Sequence, residues 1–191
     1  MRSVTLIICA VAVALSGCGA KSIGIIGGAD GPTKVVVSDD KGSTEYGRET
    51  VKMIRIDGAL YYDTGKKSDV EGRCGTMDGA IKKGASENEI PKNDNESNFS
   101  GADGYQIGLK ENTVETVLDG DWEIFAKIDT NADIFKYKYC CILNGRLPKA
   151  ETDSRYLVLA NNEDITFSDA GYQLFGSDMS KMKDIYVLPI D

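Results

Sequence analysis

Tight-turn dipeptides between alternating apolar and polar runs, with a single helix-like segment near the end, predict an α+β chain. It is expected to be mostly antiparallel β-hairpins with one or two short helices. Residues 51–56, then Asp57-Gly58, then 59–62 read as the first hairpin, because Asp-Gly supplies the positive φ of a type I′ turn. The second runs through residues 113–118, turns at Asp119-Gly120-Asp121 and returns over residues 122–128, beginning with Trp122. A third joins residues 135–143 through Asn144-Gly145 to residues 156–160. In it Phe135, Tyr137, Tyr139, Cys141 and Leu143 alternate with Lys136, Lys138 and Cys140, the period of a half-buried strand. Residues 84–103, polar and rich in turn formers, read as a long loop of the functional or mobile kind. Ser168 as N-cap, Asp169 in the first turn and a closing Gly176 predict a short helix, and residues 184–190 a final apolar strand.

The amino terminus carries an address. Arg2 precedes an apolar run of 12 residues, 4–15, broken only by Thr5. That run suits a secretory signal and falls short of the ~20 residues a bilayer span needs. Leu15-Ser16-Gly17-Cys18 resembles the lipobox of bacterial lipoproteins, whose cysteine takes a diacylglyceryl thioether and becomes the mature N-terminus. Residues 1–17 are thus expected to be a lipoprotein signal peptide and Cys18 the lipidated residue, with acyl chains such as palmitate. Residues 18–49 follow as a glycine-rich tether, and residues 50–191 as a single β-rich extracytoplasmic domain. As a flexible coil the tether would hold that domain ~30 Å from the lipid. Within it residues 23–26 and 35–37 flank a glycine-rich turn and read as strand, turn, strand.

Composition narrows the chemistry. Net charge is −8, and loss of residues 1–17 removes Arg2 alone, so the mature chain is more acidic still. Acidity argues against nucleic acid and against a polybasic hold on anionic lipid. Membrane contact is therefore assigned to the N-terminal lipid, at the extracytoplasmic face of the cell membrane. Histidine is absent, which removes Ser-His-Asp and Cys-His machinery and imidazole metal sites together. Asp129, Asn131 and Asp133 begin like a calcium loop. Ile134 and Cys140 then stand where that loop needs glycine and glutamate, so no metal or other cofactor is expected. After Cys9 and Cys18 are set aside, Cys74, Cys140 and Cys141 remain. One bridge, from Cys74 to Cys141 or its neighbour, is open outside the cell, and buried free thiols are the other outcome.

Residues 22–33, SIGIIGGADGPT, resemble a short signature of the β subunit of sodium-translocating decarboxylases. That resemblance implies a sodium-binding role for Asp30. The family's aspartate works inside a bundle of membrane helices, and after Leu15 no apolar run here approaches a span, so Asp30 is read as part of the tether. The same segment after a lipobox, with MIRIDGALYYDTGK, EGRCGTMDG and EIPKNDNESNF, is similar to uncharacterised lipoproteins of Gram-positive anaerobes. This second resemblance implies a cell-surface location and brings no site residues.

Tyr61, Tyr105 and Trp122 are the candidate ligand-binding residues, as aromatics able to line a groove for sugar or peptide. The expected function is a membrane-anchored surface lipoprotein acting as a non-catalytic module for a small ligand or a protein partner. A surface hydrolase using paired carboxylates is the first alternative. An accessory to a sodium-translocating decarboxylase is the second.

Overall fold

The computed structural model describes residues 23–26, 33–39, 42–146, 152–176 and 184–190, and over them the chain is mostly β with one short α-helix. In chain order come β1 (Ile23–Ile26), β2 (Thr33–Asp39), β3 (Gly42–Glu49), β4 (Met53–Ile56) and β5 (Ala59–Lys67). The short β6 (Gly79–Ala80), β7 (Lys82–Lys83) and β8 (Glu96–Ser97) precede β9 (Gly104–Ile107), β10 (Thr113–Leu118) and β11 (Asp121–Lys127). A 3-10 turn at Ile134–Lys136 leads to β12 (Tyr139–Gly145) and β13 (Ser154–Ala160). Helix α1 (Asp164–Gly171), a π turn at Tyr172–Gly176 and β14 (Ile185–Ile190) complete the order.

Two sheets result. One runs β1-β2-β3-β12-β13-β14, antiparallel throughout. The other runs β6-β9-β10-β11-β5-β4-β8-β7 and is parallel only at β7·β8. The first two predicted hairpins are present. Asp57 and Gly58 sit at φ 49° and 74°, and Asp119 and Gly120 at 51° and 90°, the paired positive φ of type I′ turns. Trp122 is the second residue of the returning strand, which starts at Asp121.

The layers decide which strands are buried. Cys141, Leu143, Tyr156 and Val158 lie under Phe167, Leu174 and Phe175 of α1 and the π turn. Their chain neighbours Cys140, Ile142, Leu157 and Leu159 pack with Met53 and Leu60 of the second sheet and with Val51, which precedes β4. Each such large side chain contributes about 1.5–3 kcal/mol on burial. A third cluster, including Ile54, Val114, Phe125 and Tyr105, fills the far face of the second sheet under Ile81 and Phe99.

Several expectations are corrected. β12 is buried on both faces, not half-buried, because it is sandwiched between a helix and a sheet: Cys140, Cys141, Ile142 and Leu143 are all inside. Asn144-Gly145 is no turn but the end of that strand, opposite Arg155 and Ser154. Gly145 is needed for packing, since a Cβ there would stand 3.0 Å from the Phe175 ring and from Tyr46. The helix starts at Asp164, so Ser168 lies inside it and caps nothing. The segment assigned to a tether carries β1–β3, and its Tyr46 is a core residue whose hydroxyl donates to the Ser168 carbonyl at 2.9 Å. Folded structure thus begins before residue 50. Cys18 and Asp30 lie outside the described residues.

The segment 84–103 is a strap, not a loose loop. Its Asn88 carbonyl accepts from the Cys140 amide at 2.8 Å, and its Ile90 amide donates to the Lys138 carbonyl at 2.9 Å. The buried Asn98 side chain accepts from the Met53 amide at 2.7 Å. It donates to the Val51 and Glu87 carbonyls at 2.9 and 2.8 Å. The buried polar residues 96–98 supply internal hydrogen bonds, while Ser86, Glu87 and residues 92–95 face solvent.

Candidate functional site

The three predicted aromatics do not form one platform. Directly opposed residues of an antiparallel pair share a face, and successive residues alternate. Tyr105 opposes Thr116 and Trp122 opposes Val117, so the two rings lie on opposite faces of the sheet. Tyr61 joins Tyr105 in the far-face cluster, where Tyr105 keeps 9 % of its surface exposed. Burial, with help from Asp57 and Asp78, raises the Tyr105 hydroxyl above its ordinary pKa. Two of the three are therefore framework, and Trp122 alone meets a polar site.

That site is built around Arg73. Residues 68–78 leave β5 and cross the face of β9, β10 and β11. The Ser68 amide donates to the Trp122 carbonyl at 2.8 Å, and the Asp78 amide to the Tyr105 carbonyl at 2.9 Å. Between these two pins the chain bends through Gly72, at φ 67°, and sends the Arg73 side chain inward. Its guanidinium donates to Glu115, to Ser68 Oγ at 2.5 Å and to Gln106 Oε1 at 3.2 Å, and lies 4.3 Å over the Trp122 ring. Gln106 in turn donates to the Cys74 and Thr76 carbonyls at 2.8 and 2.7 Å, holding the loop just beyond the arginine. Glu115 is 3 % exposed, while Arg73 Nε is buried without a partner. Such a pair, desolvated and incompletely bonded, adds little net stability but fixes one geometry, because breaking it strands a buried charge.

The loop so held is itself open to solvent: Cys74, Gly75, Thr76, Met77 and Asp78 are all exposed. The Asp78 carboxylate accepts from the Ile107 amide at 2.7 Å, joining the loop to the end of β9. Met77 within the loop, Ile107 at the end of β9 and Leu109 just beyond it are 40 %, 71 % and 81 % exposed, with Ile107 on the Tyr105 face of the sheet rather than the Gln106 face. The fourth exposed large apolar residue among the described ones, Phe135, is covered by the Arg55 guanidinium at 4.2 Å.

The Cys74–Cys141 bridge is not formed. Cys74 is an exposed free thiol, whereas Cys140 and Cys141 are buried free thiols on opposite faces of β12. The carboxylates Asp63 and Glu123 meet at Lys52, whose Nζ stands 3.4 and 3.0 Å from them. The lysine holds both as charge partners, an arrangement that suits an ion bridge better than a proton donor opposite a base. Sequence reading missed Arg73, Glu115 and Gln106. A signal existed in Glu115, a carboxylate within the largely apolar run 114–118 that demands a buried cation. Compared as a whole, the chain matches no known protein family, no curated protein and no solved structure.

Proposed function

We propose that this chain is a lipid-anchored, extracytoplasmic surface protein, tethered through Cys18, that binds a protein partner without catalysis. The observation that carries the binding reading is the exposed loop 74–78, locked by a buried arginine, bearing exposed Met77 and joined through Asp78 to the backbone of exposed Ile107. Exposed apolar residues grouped on a surface mark interaction sites. A loop already held in one conformation loses less entropy on docking. Acidity and the missing histidine keep nucleic acid and imidazole chemistry out of the reading.

A photo-reactive residue at Leu109 in intact cells tests it. One discrete protein adduct is expected, reduced when Ile107 is also replaced by aspartate. Labelling spread over many proteins, unchanged by that second substitution, would refute docking at this loop. The anchor has its own test, since Cys18→Ala is expected to abolish fatty-acid labelling and release the chain from the membrane fraction.

A further inference from the structure

The two sheets treat their edges differently. The eight-stranded sheet ends in two-residue strands, β6 on one side and β7, Lys82 and Lys83, on the other. Short edges and edge lysines discourage pairing with a foreign strand. The β14 end of the six-stranded sheet has neither device, and its one guard is Pro189, next to the last residue of the strand. β14 runs for six residues, IYVLPI, without a charge, and Ile185, Tyr186, Val187 and Leu188 are all half-buried. Ile185 and Val187 lean on the helix-side core, and Tyr186 and Leu188 on the core between the sheets. Apolar surface therefore remains on both faces of this edge, and among the described residues no strand pairs with its outer side.

Pro189 tells which backbone groups point outward. It sits opposite Tyr156 in the β13·β14 ladder. A proline has no N–H, and is accommodated in a ladder where its nitrogen faces away from the neighbouring strand. Both polar groups of an antiparallel residue point to one side, and the sides alternate. Tyr186, Leu188 and Ile190 thus bond β13, while Ile185, Val187 and Pro189 face outward. The outer side offers the amides of Ile185 and Val187 and the carbonyls of all three.

We infer that this edge docks a second copy of the chain, β14 against β14, antiparallel about a two-fold axis. A two-fold contact of identical strands is self-complementary and closes at two copies, so it extends the sheet without starting a fibre. With Val187 facing Val187 of the copy, the two exchange both amide–carbonyl bonds, and each Ile185 amide donates to the opposing Pro189 carbonyl. Each proline's missing donor then falls at the rim of the seam. Tyr186 meets Leu188 of the copy on one face, an aromatic–aliphatic cross-strand pair. Two chains of charge −8 approach with least repulsion along an uncharged strip. The seam belongs to the other sheet from the Arg73 loop and does not depend on the partner proposed there.

Sedimentation of the full-length chain in detergent tests the inference. A mass of two chains is expected. Val187→Pro should return it to one chain with an unchanged circular-dichroism spectrum, because that nitrogen faces outward. A second variant, Val187→Cys in a Cys74→Ser background, should crosslink to its own copy under mild oxidation, since the two side chains meet on the axis. If Val187→Pro fails to fold, the cysteine variant decides alone. A single-chain mass at the highest attainable concentration, or a dimer that survives Val187→Pro, overturns the inference. So does a cysteine at position 187 that stays unlinked or joins a different protein.

Discussion

Residues 68–78 and 84–103 are both polar, irregular and rich in glycine, asparagine, aspartate or serine, yet they do opposite things. The later segment buries Ile90, Glu96, Ser97, Asn98 and Phe99 and serves the strands beneath it through the Asn98 amide. The earlier one keeps most of its residues in solvent, is pinned at its ends by the Ser68 and Asp78 amides, and sends one charged side chain, Arg73, inward to the buried Glu115. A neutral amide that satisfies three backbone groups is structural cement. A buried charge that positions an exposed loop does little for net stability and much for the shape the loop presents. The contrast separates a strap from a recognition surface.

Removing the arginine is the strongest way to break that contrast. Arg73→Ala leaves Glu115 buried and unpaired, and is expected to cost about 3–5 kcal/mol in denaturant unfolding. Replacing the pair together, as Arg73→Met with Glu115→Leu, should recover most of that stability while the 68–78 loop becomes a site of proteolytic nicking. A double variant whose loop stays as protected as the parent's would show that Arg73 does not hold it. Asn98→Ala comes next, at roughly 2–4 kcal/mol, because it leaves backbone groups of Met53 and Val51 without their partner. An Asn98→Ala variant as stable as the parent would contradict the strap's role.

One thiol reports on each segment. Cys74 lies in the exposed loop, and Cys140 lies under the strap, 3.6 Å from the Asn98 amide. In the folded chain an alkylating reagent should modify Cys74 and spare Cys140 and Cys141, and Asn98→Ala should open Cys140. Burial pushes the Cys141 thiol from its ordinary 9.0 up to about 12, and raises Cys140 and the Tyr46 hydroxyl as well. These groups are neutral when protonated and hold the proton more tightly when folded. Their contribution is complete below the unfolded pKa and is lost as pH climbs toward the folded one. Tm is accordingly expected to hold to about pH 9 and to fall toward about pH 12; a flat profile would mean the thiols are not sealed. The smallest stability effect belongs to Leu109→Asp, within about 0.5 kcal/mol because the side chain is exposed. That variant should nonetheless lose partner capture, which distinguishes surface recognition from folding.

By itself the amino-acid sequence determined the local elements whose causes are local. Asp57-Gly58 and Asp119-Gly120 form their turns because each dipeptide tolerates positive φ and joins two strand-forming runs of adjacent sequence. The apolar run at β14 becomes a strand, and the helix is present although it starts at Asp164, ahead of the serine expected to cap it. Tertiary structure alone decided what depends on a neighbour distant in the chain. Whether β12 is buried on one face or two rests on a helix and a second sheet that its own alternation does not encode. Asn144-Gly145 reads as a turn until Phe175 and Tyr46 claim the space a side chain would fill. Arg73 and Glu115 stand 42 positions apart, and a solvated arginine has the same letter as a buried one. Periodicity and turn chemistry act over a few residues, whereas burial and charge pairing are settled only when distant strands meet.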